Sequence, residues 1–345
     1  MGKKTEIKNK KLEILVPQWK EDDKVVKFLL DSIEMQQGID FKDIGVIIVN
    51  DGSDVFLSEK NLHKYSFDVL YVRAEHGGVS ATRNKALDLA TADYVMFCDA
   101  DDGFYNVAGL RIIFDEIEKS HFDTMSSAFI EEQHLPNGQV KFLRHGQDAI
   151  FVHGKVHRRQ YLIDEKIRWN DKLLVHEDSY FNCLCQQLTD KAFHTETEFY
   201  LWKYRENSIC REDKDFKIKT YQYFIDSNES LIKEFLSRGK KDKAQFHICN
   251  LVFGTYYTLN EEQWLLPENK QYRDAVECRF ALFYKQFKEM FDATELETKA
   301  KSLKFAKDRS FNEGLLLESE LFDDWEKRII DLGVRVWQLL TTQNK

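Results

Sequence analysis

Apolar runs of strand length alternate with apolar positions at helical spacing through the first hundred residues. "LEILVP" (12–17), "IGVIIVND" (44–51), "FDVLYV" (67–72) and "YVMFCD" (94–99) read as four buried strands. Between the first two, "KVVKFLLDSIEMQQG" (24–38) puts Val25, Val26, Leu29, Leu30 and Ile33 on one helical face and ends in a glycine stop. "VSATRNKALDLA" (79–90) predicts a second helix. This alternation implies an α/β fold: a Rossmann-like, mostly parallel sheet flanked by helices. Beyond residue 120, "DTMSSAFIEE" and "GQVKFLRH" read as extended segments joined by the turn "PNG" (136–138). From about 213 the pattern is helical to the end, in "IKTYQYFIDSNESLIKEFL", "RFALFYKQFKEMF" and "WEKRIIDLGVRVWQLL". The predicted organisation is an α/β domain over 1–210 and a mainly helical region over 211–345.

With 43% hydrophobic residues in 345, the chain can bury a large core, and only three prolines leave little room for disorder beyond the first ten or so residues. The formal net charge of −9 speaks against a general nucleic-acid binder, although a local basic groove stays open. No apolar run reaches the roughly 18 residues of a membrane span, and "MGKKTEIKNKK" lacks the apolar core of a signal peptide. The expected location is therefore cytoplasmic, with peripheral membrane contact as the variant. Six cysteines in a chain this long read as reduced thiols. Cys183 and Cys185 fall in a probable helix, where residues two apart face different sides, so packing is the better reading than zinc.

In doubly wound sheets, ligands bind beyond the carboxyl ends of the strands. The first strand ends in Pro17-Gln18-Trp19, the second in Asn50-Asp51-Gly52-Ser53, and the fourth in Asp99, Asp101 and Asp102. An aromatic face beside clustered carboxylates suits a nucleoside diphosphate and a divalent cation, because hard cations take carboxylate oxygens and leave positions for phosphate. The cation is needed, since carboxylates alone repel the diphosphate.

"ILVPQWKEDD", "VIIVNDGSD", "GGVSATRNKAL", "YVMFCDADD", "GKVHRR", "HEDSYF" and "YRENSICR" occur in the order and rough spacing of the family 2 inverting glycosyltransferases with the GT-A fold. The resemblance covers about residues 11–211. It implies that Asp99 contacts the donor ribose or the metal and that Asp101 ligates Mn²⁺ or Mg²⁺, while Asp102 either helps or caps the following turn. It also implies that Asp51 reads the nucleobase edge and that Pro17 to Trp19 line the base. Trp19 stands where the family often has tyrosine, Asn50 replaces a frequent aspartate, and Asp54 lies one place early. An ordinary Asp-Gly turn is the plainer account of Asp51 and Gly52. Gly77 and Gly78 permit close backbone approach, and the helix start behind them offers unpaired N–H groups to an anion. Arg83, one turn in, can reach the nucleotide or the aspartates.

By the same resemblance, Asp178 of "HEDSYF" is the base that takes the acceptor hydroxyl proton, and Glu177 orients the acceptor or the loop. Acids at a helix start also favour the macrodipole, which explains the residue type but not the whole pattern. Lys155 and Arg205 hold the diphosphate or order a loop; a structural salt bridge is an equal alternative for each. His76, His153, His157 and His176 lie near these motifs, and none is assigned as a ligand.

These readings predict a metal-dependent transferase moving a sugar from a nucleotide-sugar donor, a UDP-sugar by the family's commonest usage, to an acceptor hydroxyl. The acceptor (glycan, lipid-linked, polyol phosphate, protein or modified nucleobase) is not legible. The C-terminal helices, rich in aromatics such as Phe246, Phe253, Tyr256 and Tyr257, suit core packing, acceptor binding or a homo-oligomer. Two rivals remain. A nucleotidyltransferase usually carries a glycine-rich basic loop after its first strand, where this chain has "PQWKEDD". A non-catalytic glycan- or partner-binding protein that retains the fold is the alternative of another class.

Overall fold

The four apolar runs form the parallel half of one sheet. The computed structural model describes residues 10–148, 150–206, 215–312 and 320–342. The basic start through residue 9 and positions 207–211 of "YRENSICR" lie outside the described residues. The chain divides into two units, 1–208 and 209–345.

In the N-terminal unit, β1 (Leu12–Gln18), β2 (Ile44–Asp51), β3 (Asp68–Ala74) and β4 (Tyr94–Phe97) stand in the order β3-β2-β1-β4. All three pairings are parallel, with Leu12 opposite both Ile44 and Tyr94. Every residue of β2 and β4 is buried, which is why these strands read as unbroken apolar runs. Helix α1 (Asp23–Glu34) buries Val26, Leu29, Leu30 and Ile33, and Asp22 caps it by accepting from the Lys24 and Val25 N–H groups at 3.0 Å.

That helix stops at Glu34, four residues before the glycine that its pattern suggested as the stop. The chain turns away so that buried Gln36 can donate to the Asn106 carbonyl at 2.9 Å and accept from the Leu110 N–H at 2.9 Å. Helix α2 (Glu59–Leu62) is a single turn, and α3 (Gly78–Leu89) opens directly on the glycines of "GGVSATRN".

The second half of the sheet is mixed rather than parallel. It contains β5 (Gly103–Phe104), β6 (Thr124–His134), β7 (Val140–His145), β8 (Lys155–Arg158) and β9 (Ala192–Trp202), with helix α4 (Gly109–Ser120) before β6. β8 pairs antiparallel with both β4 and β6, β9 runs parallel to β6, and the short β5 closes the edge antiparallel to β9. β6 and β7 form the hairpin expected around "PNG". The sequence reading had not named β5, β8 or β9. Helices α5 (Arg159–Asp164) and α6 (Glu177–Gln187) complete the unit. On α6, burial pushes the Cys183 thiol up to about 12 and that of Cys185 well above its ordinary value, so both pack as neutral groups.

The C-terminal unit is helical: α7 (Phe216–Ser237), α8 (Lys241–Thr258), α9 (Glu262–Leu265), α10 (Lys270–Asp292), α11 (Leu296–Asn312) and α12 (Glu320–Thr342). Aromatic rings fill its interior. Tyr256 lies 5.2 Å from the Phe322 and Trp325 rings, and Phe280 lies 5.5 Å from Trp325. No described helix is long and apolar enough to cross a membrane.

Candidate active site

Phe181 of α6 is fully buried, edge-on to Phe97 of β4 at 5.5 Å and stacked on Trp169 at 4.1 Å with the planes 5° apart. These contacts fix the start of α6 over the carboxyl end of β4. They bring Glu177 and Asp178 to the aspartates that follow Phe97. Arg83 of α3 joins the two motifs: its NH2 nitrogen donates to Asp99 Oδ1 at 2.8 Å and its NH1 nitrogen to Glu177 Oε1 at 3.0 Å. The guanidinium lies 4.4 Å from the Trp169 ring centroid. Burial alone would lower the pKa of Arg83, but the carboxylates of Asp99 and Glu177 outweigh it and hold the group above its ordinary value. The arginine is charged, and it is the cation that makes this pocket of acids stable.

Asp178 is partly buried beside Glu177, and one of its oxygens accepts from the Ser179 N–H at 2.8 Å. Burial and then the Glu177 charge push its carboxyl up to about 7. His176, just before the pair, has φ 63° and ψ 21°, a left-handed conformation that costs a non-glycine residue on the order of 1 kcal/mol or more. Burial lowers the His176 imidazole to about 4, so the ring is neutral.

The three aspartates have different surroundings. Asp102 is only 2% exposed, and both of its oxygens are taken: Tyr200 O–H donates at 2.6 Å and the Lys203 N–H at 2.9 Å. Burial raises its pKa well above the carboxylate range, helped by Asp101 and Asp99. Asp99 and Asp101 keep more contact with the cleft, with side chains 33% and 24% exposed. Burial, then Asp99, pushes Asp101 up to about 6, even though Arg205 Nε lies 3.2 Å from its Oδ2. Ligand atoms of Asp99, Asp102 and His153 lie within 4.8 Å of one another, the one such group among the described residues.

Both oxygens of Asp51 are also engaged. Oδ1 accepts from the Gly77 N–H at 2.8 Å, and Oδ2 from the Gly78 N–H at 3.0 Å with His76 Nδ1 at 2.9 Å. Asp51 thus caps α3, which changes the expectation that this helix start offers unpaired N–H groups at Gly77 and Gly78. Gly52 makes the cap feasible: its φ is +73°, and a Cβ there would lie 2.7 Å from the His76 nitrogen. Trp19, at the end of the Pro17 strand, is exposed and lies 5.7 Å from the His76 ring with the planes 18° apart.

Lys155 is placed differently from the expectation of a diphosphate contact. Its ammonium is buried, donates to Asp148 Oδ2 at 2.8 Å and also holds the Phe151 carbonyl. These bonds give Lys155 a structural salt bridge, the alternative reading for this residue. Arg205 donates to Glu21 Oε1 at 2.7 Å as well as flanking Asp101, so it clamps β1's following turn to the aspartates. The sequence reading missed Trp169, Tyr200 and Lys203 altogether and left His153 unassigned. Tyr200 belongs to an alternating stretch, "AFHTETEFYLW", whose strand pattern was the available signal.

A parallel β3-β2-β1-β4 half-sheet, aspartates beyond β4 and a Glu-Asp pair set over them together define a GT-A-type nucleotide-sugar fold. The crystal structure of S. aureus TarS 1–349 in complex with UDP superimposes with a TM-score of 0.57 at 16% identity, covering 89% of this chain and 93% of that one. The same protein in complex with UDP-GlcNAc gives 0.56 at 18%. Residues 13–159 match the model of Glycosyl transferase family 2, so the N-terminal unit carries a domain of that family. Glycosyltransferase GlyA of Streptococcus pneumoniae serotype 4 is 25% identical over 226 residues, 58% of this chain and 32% of its own length. The minor teichoic acid biosynthesis protein GgaB of Bacillus subtilis is 35% identical over 80 residues, 22% of this chain and 9% of that protein. The chain thus spans about a third of the length of the first relative and less than a tenth of the second.

Proposed function

We propose that the chain is an inverting glycosyltransferase that uses a nucleotide-activated sugar and a divalent cation. The observation that carries this reading is the Arg83 fork, which ties the donor-side Asp99 to the Glu177–Asp178 pair at one end of the sheet. The nucleobase would lie against Trp19, with Asp51, Pro17 and Gly78 lining its subsite. UDP is the proposed nucleotide, supported by the UDP and UDP-GlcNAc complexes of the structurally similar TarS.

Asp99 and Asp101 fit a hard cation best. They are the carboxylates with oxygens reaching the cleft, whereas Asp102 is buried with both oxygens committed. The raised Asp101 carboxyl fits as well, since a nearby cation would lower it. When bound, Mn²⁺ or Mg²⁺ would neutralise the charge that develops on the departing diphosphate. Arg205 holds Asp101 in place from the side.

The Asp178 carboxylate takes the acceptor hydroxyl proton while the acceptor oxygen bonds to the anomeric carbon from the face opposite the leaving group. The anomeric C–O bond breaks as that bond forms, and its electron pair leaves on the nucleoside diphosphate. A base with a pKa near 7 is half-deprotonated at neutral pH and strong enough to pull the proton. Glu177, fixed by Arg83, strengthens this base through its neighbouring charge. We place the activity in the cytoplasm, with contact to a membrane surface reserved for a lipid-linked acceptor.

A thermal-shift panel of UDP, GDP, CDP, ADP and dTDP, each with and without Mn²⁺, tests the reading. A ligand at about a hundred times its Kd adds roughly 2.7 kcal/mol of stability. A Mn²⁺-dependent rise with UDP is expected. No rise with any nucleotide would turn the weight to a non-catalytic binding protein.

A further inference from the structure

Gln18 and Asn50 are partners in the β1–β2 register, at the carboxyl ends of both strands. Tyr71 of β3 stands opposite Ile48, two residues before Asn50. Residues two apart on a strand share a face, so the three polar side chains gather on one side of the sheet. Gln18 is 1% exposed and Asn50 is fully buried.

Their amides converge on one acceptor in the loop that follows β2. Gln18 Nε2 donates to the Val55 carbonyl at 3.2 Å, and Asn50 Nδ2 donates to the same oxygen at 2.9 Å. Asn50 Nδ2 also donates to the Tyr71 hydroxyl at 3.0 Å, and that hydroxyl donates to Gln18 Oε1 at 3.4 Å. The loop's own N–H groups close the network: Leu57 donates to the Tyr71 oxygen at 3.3 Å and Ser53 to Asn50 Oδ1 at 2.8 Å. Trp19 follows Gln18 directly, and Asp51 follows Asn50. The two residues that would hold the nucleobase are therefore each one peptide bond from a network amide. Buried polar networks at the ends of apolar strands are local exceptions of the kind that functional sites carry.

We propose that Asn50 and Tyr71 are positioning residues of the nucleobase subsite, setting the place of Trp19 and Asp51 without touching the nucleotide. The inference rests on the nucleotide-sugar reading of the site. Asn50 has to be an amide here, because its Oδ1 meets a donor while its Nδ2 meets a carbonyl, and a carboxylate has no hydrogen to give. An aspartate at this position sets oxygen against oxygen at Val55, and the loop relieves the clash by shifting. Nucleotide binding must then bring Trp19 and Asp51 back, so the cost falls on affinity more than on melting temperature.

Isothermal titration calorimetry on the full chain in Mn²⁺, comparing UDP with inorganic pyrophosphate, tests the proposal. Pyrophosphate keeps the diphosphate and lacks the base. Asn50→Asp should weaken UDP by about tenfold or more, the factor that one unsatisfied buried polar group carries, and leave pyrophosphate affinity unchanged. Tyr71→Phe is the milder variant, at a half-buried residue whose ring is kept. It should show the same split with a smaller loss of UDP affinity. A purely structural role would move both ligands together or neither. UDP affinity unchanged in both variants, or equal losses of UDP and pyrophosphate, overturns the proposal. No UDP binding by the parent chain would instead defeat the donor reading, and this inference with it.

Discussion

The Arg83 guanidinium lies 4.4 Å from the centroid of the Trp169 ring while its two terminal nitrogens reach Asp99 and Glu177. Trp169 is in turn fixed by Asn84, which accepts from its backbone N–H at 3.0 Å and donates to its carbonyl at 2.8 Å. Three segments far apart in the chain meet on one buried cation. Arg83→Met would leave two acids facing each other without compensation. Breaking a buried pair by removing one partner typically costs 3–5 kcal/mol. Because Asp99 is part solvated, about 3 kcal/mol is expected, read as a lower melting temperature, with donor KM raised. Arg83→Lys should restore part of the stability but little activity, because an ammonium cannot fork between both acids. Equal kcat/KM in the lysine variant would refute the bridging role.

Asp178 should set the pH profile. A base whose carboxyl titrates at about 7 must lose its proton to work, so kcat/KM should fall about tenfold per pH unit below 7 and level off above it. Asp178→Asn should cut turnover by roughly 10² to 10⁴ and flatten this limb. Stability moves the other way. The folded pKa lies above the unfolded value of about 3.9, so the stability tied to protonated Asp178 is whole below pH 4 and lost as pH rises through 7. The melting temperature of Asp178→Asn relative to the parent should therefore climb between pH 5 and pH 8. A constant difference across that range would show that Asp178 is not raised.

Asp51→Asn removes one of the two acceptors that hold the Gly77 and Gly78 N–H groups. Loss of a helix cap costs about 1 kcal/mol, or roughly 2–4 °C in a unit of this size. Both the melting temperature and UDP affinity should drop, since cap and base subsite share the carboxylate. A variant with normal UDP affinity and a lowered melting temperature would reduce Asp51 to a cap.

How far the sequence carried the site depends on sequence distance. β1, β2 and β4 were legible because strands buried on both faces are continuous apolar runs, and their carboxyl ends point to a site by topology alone. α1 was read four residues too long because its apolar period says nothing of Gln36, whose bonds to Asn106 and Leu110 end the helix from outside. The mixed half of the sheet escaped because β9 pairs with β6 about 70 residues upstream, which no local pattern reports. For the same reason Tyr200 and Lys203, the partners of Asp102, were invisible next to an aspartate triplet that drew the eye. Lys155 shows the converse: the residue was found, but the Asp148 that claims its charge was not.

The aspartates themselves can be sorted by metal titration. Asp101→Asn and Asp102→Asn remove the same charge one residue apart, but from different surroundings. Asp101 reaches the cleft beside Arg205, so its asparagine variant should lose the Mn²⁺-dependent part of the UDP thermal shift with little loss of stability. Asp102 is sealed beneath Tyr200 and the Lys203 N–H. An asparagine there keeps one acceptor but places an amide NH₂ against one of those donors, so a fall of about 1–3 kcal/mol is expected, with the Mn²⁺ dependence kept. If Asp102→Asn instead abolishes the Mn²⁺ effect while Asp101→Asn retains it, the cation is held by Asp99, Asp102 and His153, whose ligand atoms already lie within 4.8 Å of one another. The role of Asp101 would then be confined to its pair with Arg205.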